Sequence, residues 1–396
     1  MPNNWQTASI GEVAKPIERA EAPMAGVTYR QIGVRLWGQG AYERESIDGS
    51  QTKYATLSRV ESGDIVVNKI WARNGSVAVV SDKLAGCFGS GEFPTFAPDR
   101  KKLEPRWFHW MTKTKWFWQA CDEKSRGTSG KNRIRPERFL EIEIPLPPLD
   151  EQHRIVERVE ALAARIVKAQ SLREETEMEA EVLLDTIVGK VFSELESTEH
   201  EPLKELTTKI GSGSTPSGGH ASYPSSGIPF IRSLNVRMRF FQWDNIAYID
   251  EATHKSMNGT KVKPNDVLLN ITGASIGRVA CAPDDLVEGN VNQHVAIVRP
   301  IESLDSQYLM YWLSQPAIQD FINDKQKGAT RQGFTKAQIE KFEIPIIPLD
   351  EQRRIVSYLN GLQAKVDELR RLQSESEREL SALLPSILDR AFKGEL

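Results

Sequence analysis

Two stretches of the chain carry a seven-residue apolar rhythm. The first runs Ile155, Val159, Leu162, Ile166, fades through a polar middle and resumes at Leu183, Ile187 and Val191. The second runs Ile355, Leu359, Leu362, Val366, Leu369, then Leu380, Leu383, Ile387 and Ala391. Spacings of three and four, with Glu, Lys and Arg between, predict coiled-coil seams on two long helices. These extend from Asp150 to about Phe192 and from Asp350 to about Phe392, each roughly 65 Å long at about 1.5 Å per residue. A small domain cannot bury so long a stripe, so the most economical partner for one helix is the other. Elsewhere the pattern shortens. Runs such as Ile65-Val66-Val67 and Ser76-Val77-Ala78-Val79-Val80, punctuated by glycines, predict two strand-rich blocks, one ahead of each helix. One helix is expected from Trp107 to Trp118, and its aromatic cluster is expected to pack a core rather than stack bases.

The long helices open on a repeat. Glu143 to Val156 reads EIPLPPLDEQHRIV and Glu343 to Val356 reads EIPIIPLDEQRRIV, identical at 11 of 14 positions with an offset of 200. Glu-Ile-Pro ends a strand because proline removes a ladder donor. Asp150 and Asp350 are expected as N-caps, with Glu151 and Glu351 in the first turn, where negative charge suits the helix dipole. The strand-rich blocks are weaker repeats. At an offset of 202, Asp64-Ile65-Val66-Val67-Asn68 aligns with Asp266-Val267-Leu268-Leu269-Asn270, and Gly75, Val77, Ala78 and Asp82 with Gly277, Val279, Ala280 and Asp284. A shared frame with different polar positions suits two versions of a reading head; ordinary drift after duplication would leave the same trace.

The expected fold is therefore α+β, with an internal pseudo-two-fold repeat. Strand-rich domains over 1–145 and 197–345 alternate with long helices over 146–196 and 346–396. A domain of this size has a radius of gyration near 14 Å, so the second helix must start close to where the first stopped and run back antiparallel. The result is a dumbbell with a coiled-coil spacer.

Composition narrows the function. A charged fraction of 27% and short apolar runs argue against a membrane span, and the N-terminus has no secretory pattern. Cys87, Cys121 and Cys281 are scattered, which favours a reducing, cytoplasmic setting and no zinc site. The six histidines have no metal-ligand spacing. Gly211-Ser212-Gly213-Ser214-Thr215-Pro216 lacks the lysine of a phosphate loop and reads as a flexible turn. No nucleophile elbow, zinc-protease motif or amino-methyltransferase motif is present, so catalysis by this chain is not expected, and neither a metal nor a bound cofactor is.

A net charge of −3 counts against a generic polyanion binder but not against one with localised cations. Two such places stand out. Lys124, Arg126, Lys131, Arg133, Arg135 and Arg138 face the single acid Glu137, and the equivalent stretch holds Lys325, Lys327, Arg331, Lys336 and Lys341. Both include glycines and small residues that let backbone amides approach phosphates. A basic surface loop is often merely solvated; its recurrence in both halves favours phosphate contact.

With these motifs in view, the chain resembles the DNA specificity subunit of type I restriction-modification systems. The two IPxxPLDEQ helices resemble that family's spacer regions. GSGSTPS (211–217), GIPFIRSLNV (227–236), NITGASIGRVA (270–280), NQHVAIVRP (292–300) and the run from 327 to 356 resemble its target-recognition pattern. The resemblance implies two target-recognition domains, each reading half of a split double-stranded DNA site, with the helices setting the gap. It implies partners as well: two methyltransferase subunits using S-adenosylmethionine, and restriction subunits using ATP and Mg. Candidate base-edge readers are Arg35, Tyr42, Lys69, Arg73 and Asn74 in the first domain, and Arg232, Asn235, Arg237, Thr272, Ser275, Asn292 and Gln293 in the second, because Arg, Asn and Gln pair bidentately with guanine and adenine. Candidate phosphate contacts are Arg126, Lys131, Arg133, Lys327, Arg331 and Lys336. Ile155, Val159, Leu162 and Ile166, with Ile355, Leu359, Leu362 and Val366, are expected to form the helical seam. The alternatives are a coiled-coil assembly scaffold without DNA reading, and a nuclease with no acidic cluster to support it.

Overall fold

The computed structural model describes residues 5–125, 132–216, 223–324 and 333–396. The chain divides into two compact units, residues 1–173 with 374–396 and residues 174–373. Each unit holds one strand-rich domain, the start of the long helix that follows it and the end of the other.

In the first unit a four-stranded antiparallel sheet has the order Val77–Val79, Ile65–Val67, Thr95–Pro98, Ala14–Ile17. In the second, the same order recurs as Val279–Cys281, Val267–Asn270, Val295–Pro300, Thr207–Ser212. Gly211 and Ser212 thus close a sheet strand instead of forming a turn. The central strands are buried on both faces, and alternate residues serve different cores. Ile65 and Val67 face one cluster and Val66 the other; Val267 and Leu269 face one and Leu268 the other. This is the two-residue period of a strand sandwiched between layers.

The aromatic segment folds as two helices, Pro105–Met111 and Lys115–Ser125. A turn interrupts it, where the hydroxyls of Thr112 and Thr114 bond to the carbonyls of His109 and Met111. Trp107, Phe108 and Phe117 are fully buried, as expected of core aromatics.

Both long helices form, over Leu149–Ser193 and Leu349–Phe392. They begin two residues earlier than an aspartate cap requires. The carbonyl of Pro148 accepts from the N–H groups of Glu151 and Gln152, and Pro348 does the same for Glu351 and Gln352. Asp150 and Asp350 lie in the first turn and act on the helix dipole, not as caps.

What fixes each helix start is the buried glutamine of the repeat. Gln152 Oε1 accepts from Glu104 N at 2.9 Å, while its Nε2 donates to the carbonyls of Lys102 and Pro147, both at 2.8 Å. Gln352 accepts from Asp305 N at 2.8 Å and donates to Ser303 O and Ile347 O, both at 3.0 Å. Glu104 and Asp305 themselves cap the helices Pro105–Met111 and Ser306–Ser314. Nearby, Trp107 Nε1 donates to Pro145 O at 3.2 Å and the Tyr308 hydroxyl to Pro345 O at 3.1 Å.

Within each unit the helices run antiparallel. In the first, Arg154 meets the carbonyl of Leu396 and Arg173 meets Glu377. In the second, Arg370 meets Glu177 and Glu181. The seam differs from the expectation in its phase. Ile155, Val159, Leu359 and Val366 are buried, and Leu162, Ile166, Ile355 and Leu362 are half-buried. Leu183 and Leu383, however, are 60% and 44% exposed, whereas Leu184, Val188, Leu388 and Phe392 are buried. The helix ends lie in the cores of the domains, beside Trp107 and Tyr308, and that second partner rotates the buried face by one residue.

Replacing Gln152 or Gln352 by leucine strands one N–H and two carbonyls, and we expect a loss of about 2–4 kcal/mol, read as a shift in urea midpoint. A shift no larger than that of a surface substitution would refute the clamp. Burial, with Lys113 adding to it, pushes the His109 imidazole from its ordinary value of 6.5 down to about 4. The unfolded chain therefore takes up this proton first, and the stability present above pH 6.5 is lost as pH falls through about 4. A His109→Asn variant should flatten the pH dependence of denaturation in that window by on the order of 2–3 kcal/mol; an unchanged profile would contradict the burial.

Candidate nucleic-acid interface

Three segments converge on one edge of each domain. The first leaves the central strand and passes a short turn. In the first unit this is Asn68 to Gly75, with a 3-10 turn over Ala72–Asn74 closed by Gly75 at φ 74°. In the second it is Asn270 to Gly277, with a turn over Gly273–Ser275. The second segment precedes the last sheet strand: Glu92 O accepts from Lys69 N at 3.1 Å, and His294 O from Ile271 N at 2.9 Å. The third leads into the last short helix: Ile134 N donates to Lys69 O at 2.9 Å, and Phe334 N to Ile271 O at 2.8 Å. The same three backbone junctions therefore exist in both units, while the turn between them and the side chains it carries differ.

In the first unit a fourth loop joins this edge. Trp37 N donates to Asn74 O at 2.6 Å and Gly38 N to Gly75 O at 3.0 Å, which brings Arg35 near Arg73 and Asn74. Arg35 is exposed, its guanidinium 4.9 Å from the Tyr42 ring. The Tyr42 ring lies over Gly33, where a Cβ would come within 2.6 Å of it. Arg73 lies 6.0 Å from the Trp71 ring, and Lys69 and Asn74 are half-buried. Arg133 reaches this edge but bonds Glu92 at 3.0 Å, which offsets part of its charge.

In the second unit Arg237 occupies the place of Arg35 at the 202 offset and bonds Gln242 Oε1 at 2.6 Å. Arg232 donates to Asn245 O at 2.6 Å and stacks 5.8 Å from Tyr223. Thr272 bonds His294 Nδ1, Ser275 is half-buried, and exposed Gln293 accepts from the Thr215 hydroxyl. Lys336 is largely exposed, 3.5 Å from Glu340.

Two expected base readers are placed otherwise. Asn235 is fully buried, its amide donating to the carbonyls of Gln242 and Asp244 and its oxygen accepting from Arg232 N. Asn292 is 7% exposed and its Oδ1 accepts from His294 N at 3.0 Å. Both close loops, because a short amide pairs with nearby backbone more readily than it reaches outward. Arg126, Lys131, Lys327 and Arg331 lie outside the described residues. Residue type alone passed over His294, Trp37 and Trp71, which stand on the same edge; an indole inside a glycine-bounded, arginine-bearing turn was the available signal.

Among the described residues no His, Cys, Asp or Glu cluster could hold a metal ion, and no described helix is long and apolar enough to cross a membrane. Burial raises the Cys87 thiol, raises Cys121 further and pushes Cys281 up to about 12, so none is a ready nucleophile.

Residues 2–176 and 198–377 each match the family described as type I restriction modification DNA specificity domain. The chain belongs to this family. Each match opens on a strand-rich domain and ends within the helix that follows, so the family unit coincides with the structural repeat. The EcoBI specificity subunit of Escherichia coli is 24% identical over 277 residues, covering 64% of this chain and 58% of that protein's length. A solved chain described under complex assembly and conformational transition of the type I R-M system is 25% identical, covers 100% of this chain and 99% of its own, and has a TM-score of 0.73. The HsdS subunit from Thermoanaerobacter tengcongensis is 26% identical with a TM-score of 0.60, covering 100% of this chain and 98% of its own. The specificity family is non-catalytic.

Proposed function

We propose that this chain is the sequence-reading subunit of a type I restriction-modification complex, taking domains 1–145 and 197–345 as readers of two half-sites and helices 146–196 and 346–396 as the spacer. The observation that carries the reading is the repeated three-segment edge: its backbone junctions are common to both units, while the outward side chains differ. Two readers joined by long helices would suit a split site. Two methyltransferase subunits, which bind S-adenosylmethionine, would dock on the helices, and restriction subunits using ATP and Mg would join them; the setting would be the cytoplasm.

Arg35 and Arg237 are the base-edge candidates best supported by their equivalent placement. Lys336, Arg133 and the glycine-rich basic stretches suit phosphates. The complex expressed in cells should yield a split N6-methyladenine motif on methylome sequencing, lost when either domain is deleted, with its gap altered by a four-residue insertion near Arg173. No bipartite motif from an assembled complex would favour the scaffold role instead. Arg35→Ala should cost about 1–3 kcal/mol and loosen one position of one half-site, whereas Lys336→Ala should weaken all sequences alike and lower the salt slope by about 1. Binding titrations over a salt series separate the two, and a uniform loss for Arg35→Ala would reassign it to the backbone.

A further inference from the structure

The two readers differ most where they should be most alike. At the 202 offset Trp71 falls on Gly273 and Trp37 on Arg239. Trp71 is 44% exposed and Trp37 51%. Gly273 has φ 75°, against −112° at Trp71, so the second reader's turn follows a different backbone path and carries no side chain at the position where the first presents its indole. The other pair shares a left-handed backbone, φ 56° at Trp37 and 66° at Arg239. Yet the Arg239 guanidinium turns inward, 2% exposed, to Asp185 at 2.6 Å and Gln363 at 3.1 Å. The loop that presents Trp37 lies between Arg35 and Gly40; its counterpart between Arg237 and Phe240 is two residues shorter, and its Arg239 anchors the domain to both helices.

The exposed indoles are held in place. Asn68 Oδ1 accepts from the N–H groups of Ile70 and Trp71. Trp37 packs edge-on against Trp118 at 5.5 Å, and Trp118 Nε1 donates to Thr112 O at 2.7 Å. A Cβ on Gly75 would strike Trp118 at 2.7 Å, so the turn cannot shift without moving that stack. Arg73 lies by the Trp71 ring, and Arg35 and Lys69 each stand two residues from an indole in the chain. An apolar protein partner would have to strip water from these cations without pairing them, whereas a nucleic acid offers a base face for the indole and phosphates for the cations.

We propose that Trp71 is a base contact of the first reader, wedged against a flexible pyrimidine–purine step of its half-site, with no aromatic counterpart on the matching turn of the second reader, Gly273–Ser275. This rests on the DNA-reading function proposed above. Wedging side chains partly unstack such steps, which deform most readily.

The test uses the complex assembled with its methyltransferase subunits and duplexes of the methylated site, with 2-aminopurine placed in turn at adenines other than the methylated one. The expected result is a fluorescence rise at one step in the first reader's half-site and none in the other. Trp71→Ala should abolish that rise and weaken binding about tenfold to a hundredfold with an unchanged salt slope; Trp71→Phe should keep part of both. A silent Trp71→Ala, a loss equal on a scrambled first half-site, or a failure to assemble with the methyltransferase would each overturn the proposal, the last making the indole a protein contact. A bipartite methylation motif with a silent Trp71→Ala removes only this inference, whereas the absence of such a motif removes the function beneath it.

Discussion

A long helix can be aimed only by what holds its first turn, and here that is one buried amide per helix. Gln152 and Gln352 each join three backbone groups from two elements, the loop that caps a domain helix and the proline-rich exit of the preceding strand. A buried amide must satisfy both its donor and its acceptor, and only one orientation of the helix start does so. An apolar residue there would fill the space without choosing an angle. The direction of each helix is thereby tied to the frame of the domain before it.

The distal end of each helix is held differently. It enters the core of the other domain, Phe392 against Trp107 and Phe192 against Tyr308. Polar geometry governs the start, and apolar burial, which is non-directional, governs the end. The second unit adds a third attachment in Arg239, a buried charge that is costly unless fully paired. Its partners come from both helices, so it ties the domain to the pair and not to one of them. The first unit has a different bridge, where Arg106 meets Glu160 at 3.1 Å. The equivalent contact in the second unit is neutral, Asn360 donating to Gln307.

Much of this was legible in the chain. The 14-residue repeat marked both strand exits and both helix starts, and the 202 offset marked the shared sheet. What the repeat could not tell was which of its polar residues works. The aspartate looked like a cap by type, but the prolines before it already supply the first carbonyl acceptor, and the glutamine, unremarkable by propensity, carries the junction. The apolar rhythm located the helices yet misassigned Leu183 and Leu383, because a heptad count presumes one partner and these helix ends have two. Asn235 and Asn292 were misplaced for a related reason: a residue's hydrogen-bonding capacity is visible in sequence, while whether the backbone has already consumed it is not.

That division between frame and reader follows from the duplication. Residues that close loops from within, such as Asn68 and Asn270 or the left-handed Gly75 and Gly277, are kept at the 202 offset. Side chains on the outer surface of the same turns, such as Trp71, Arg73 and Ser275, carry no such duty. On the converging edge the two units diverge in chemistry: an indole and a guanidinium in one, a glycine and a hydroxyl in the other. Two half-sites can then be read by unlike chemistry on one shared four-stranded sheet.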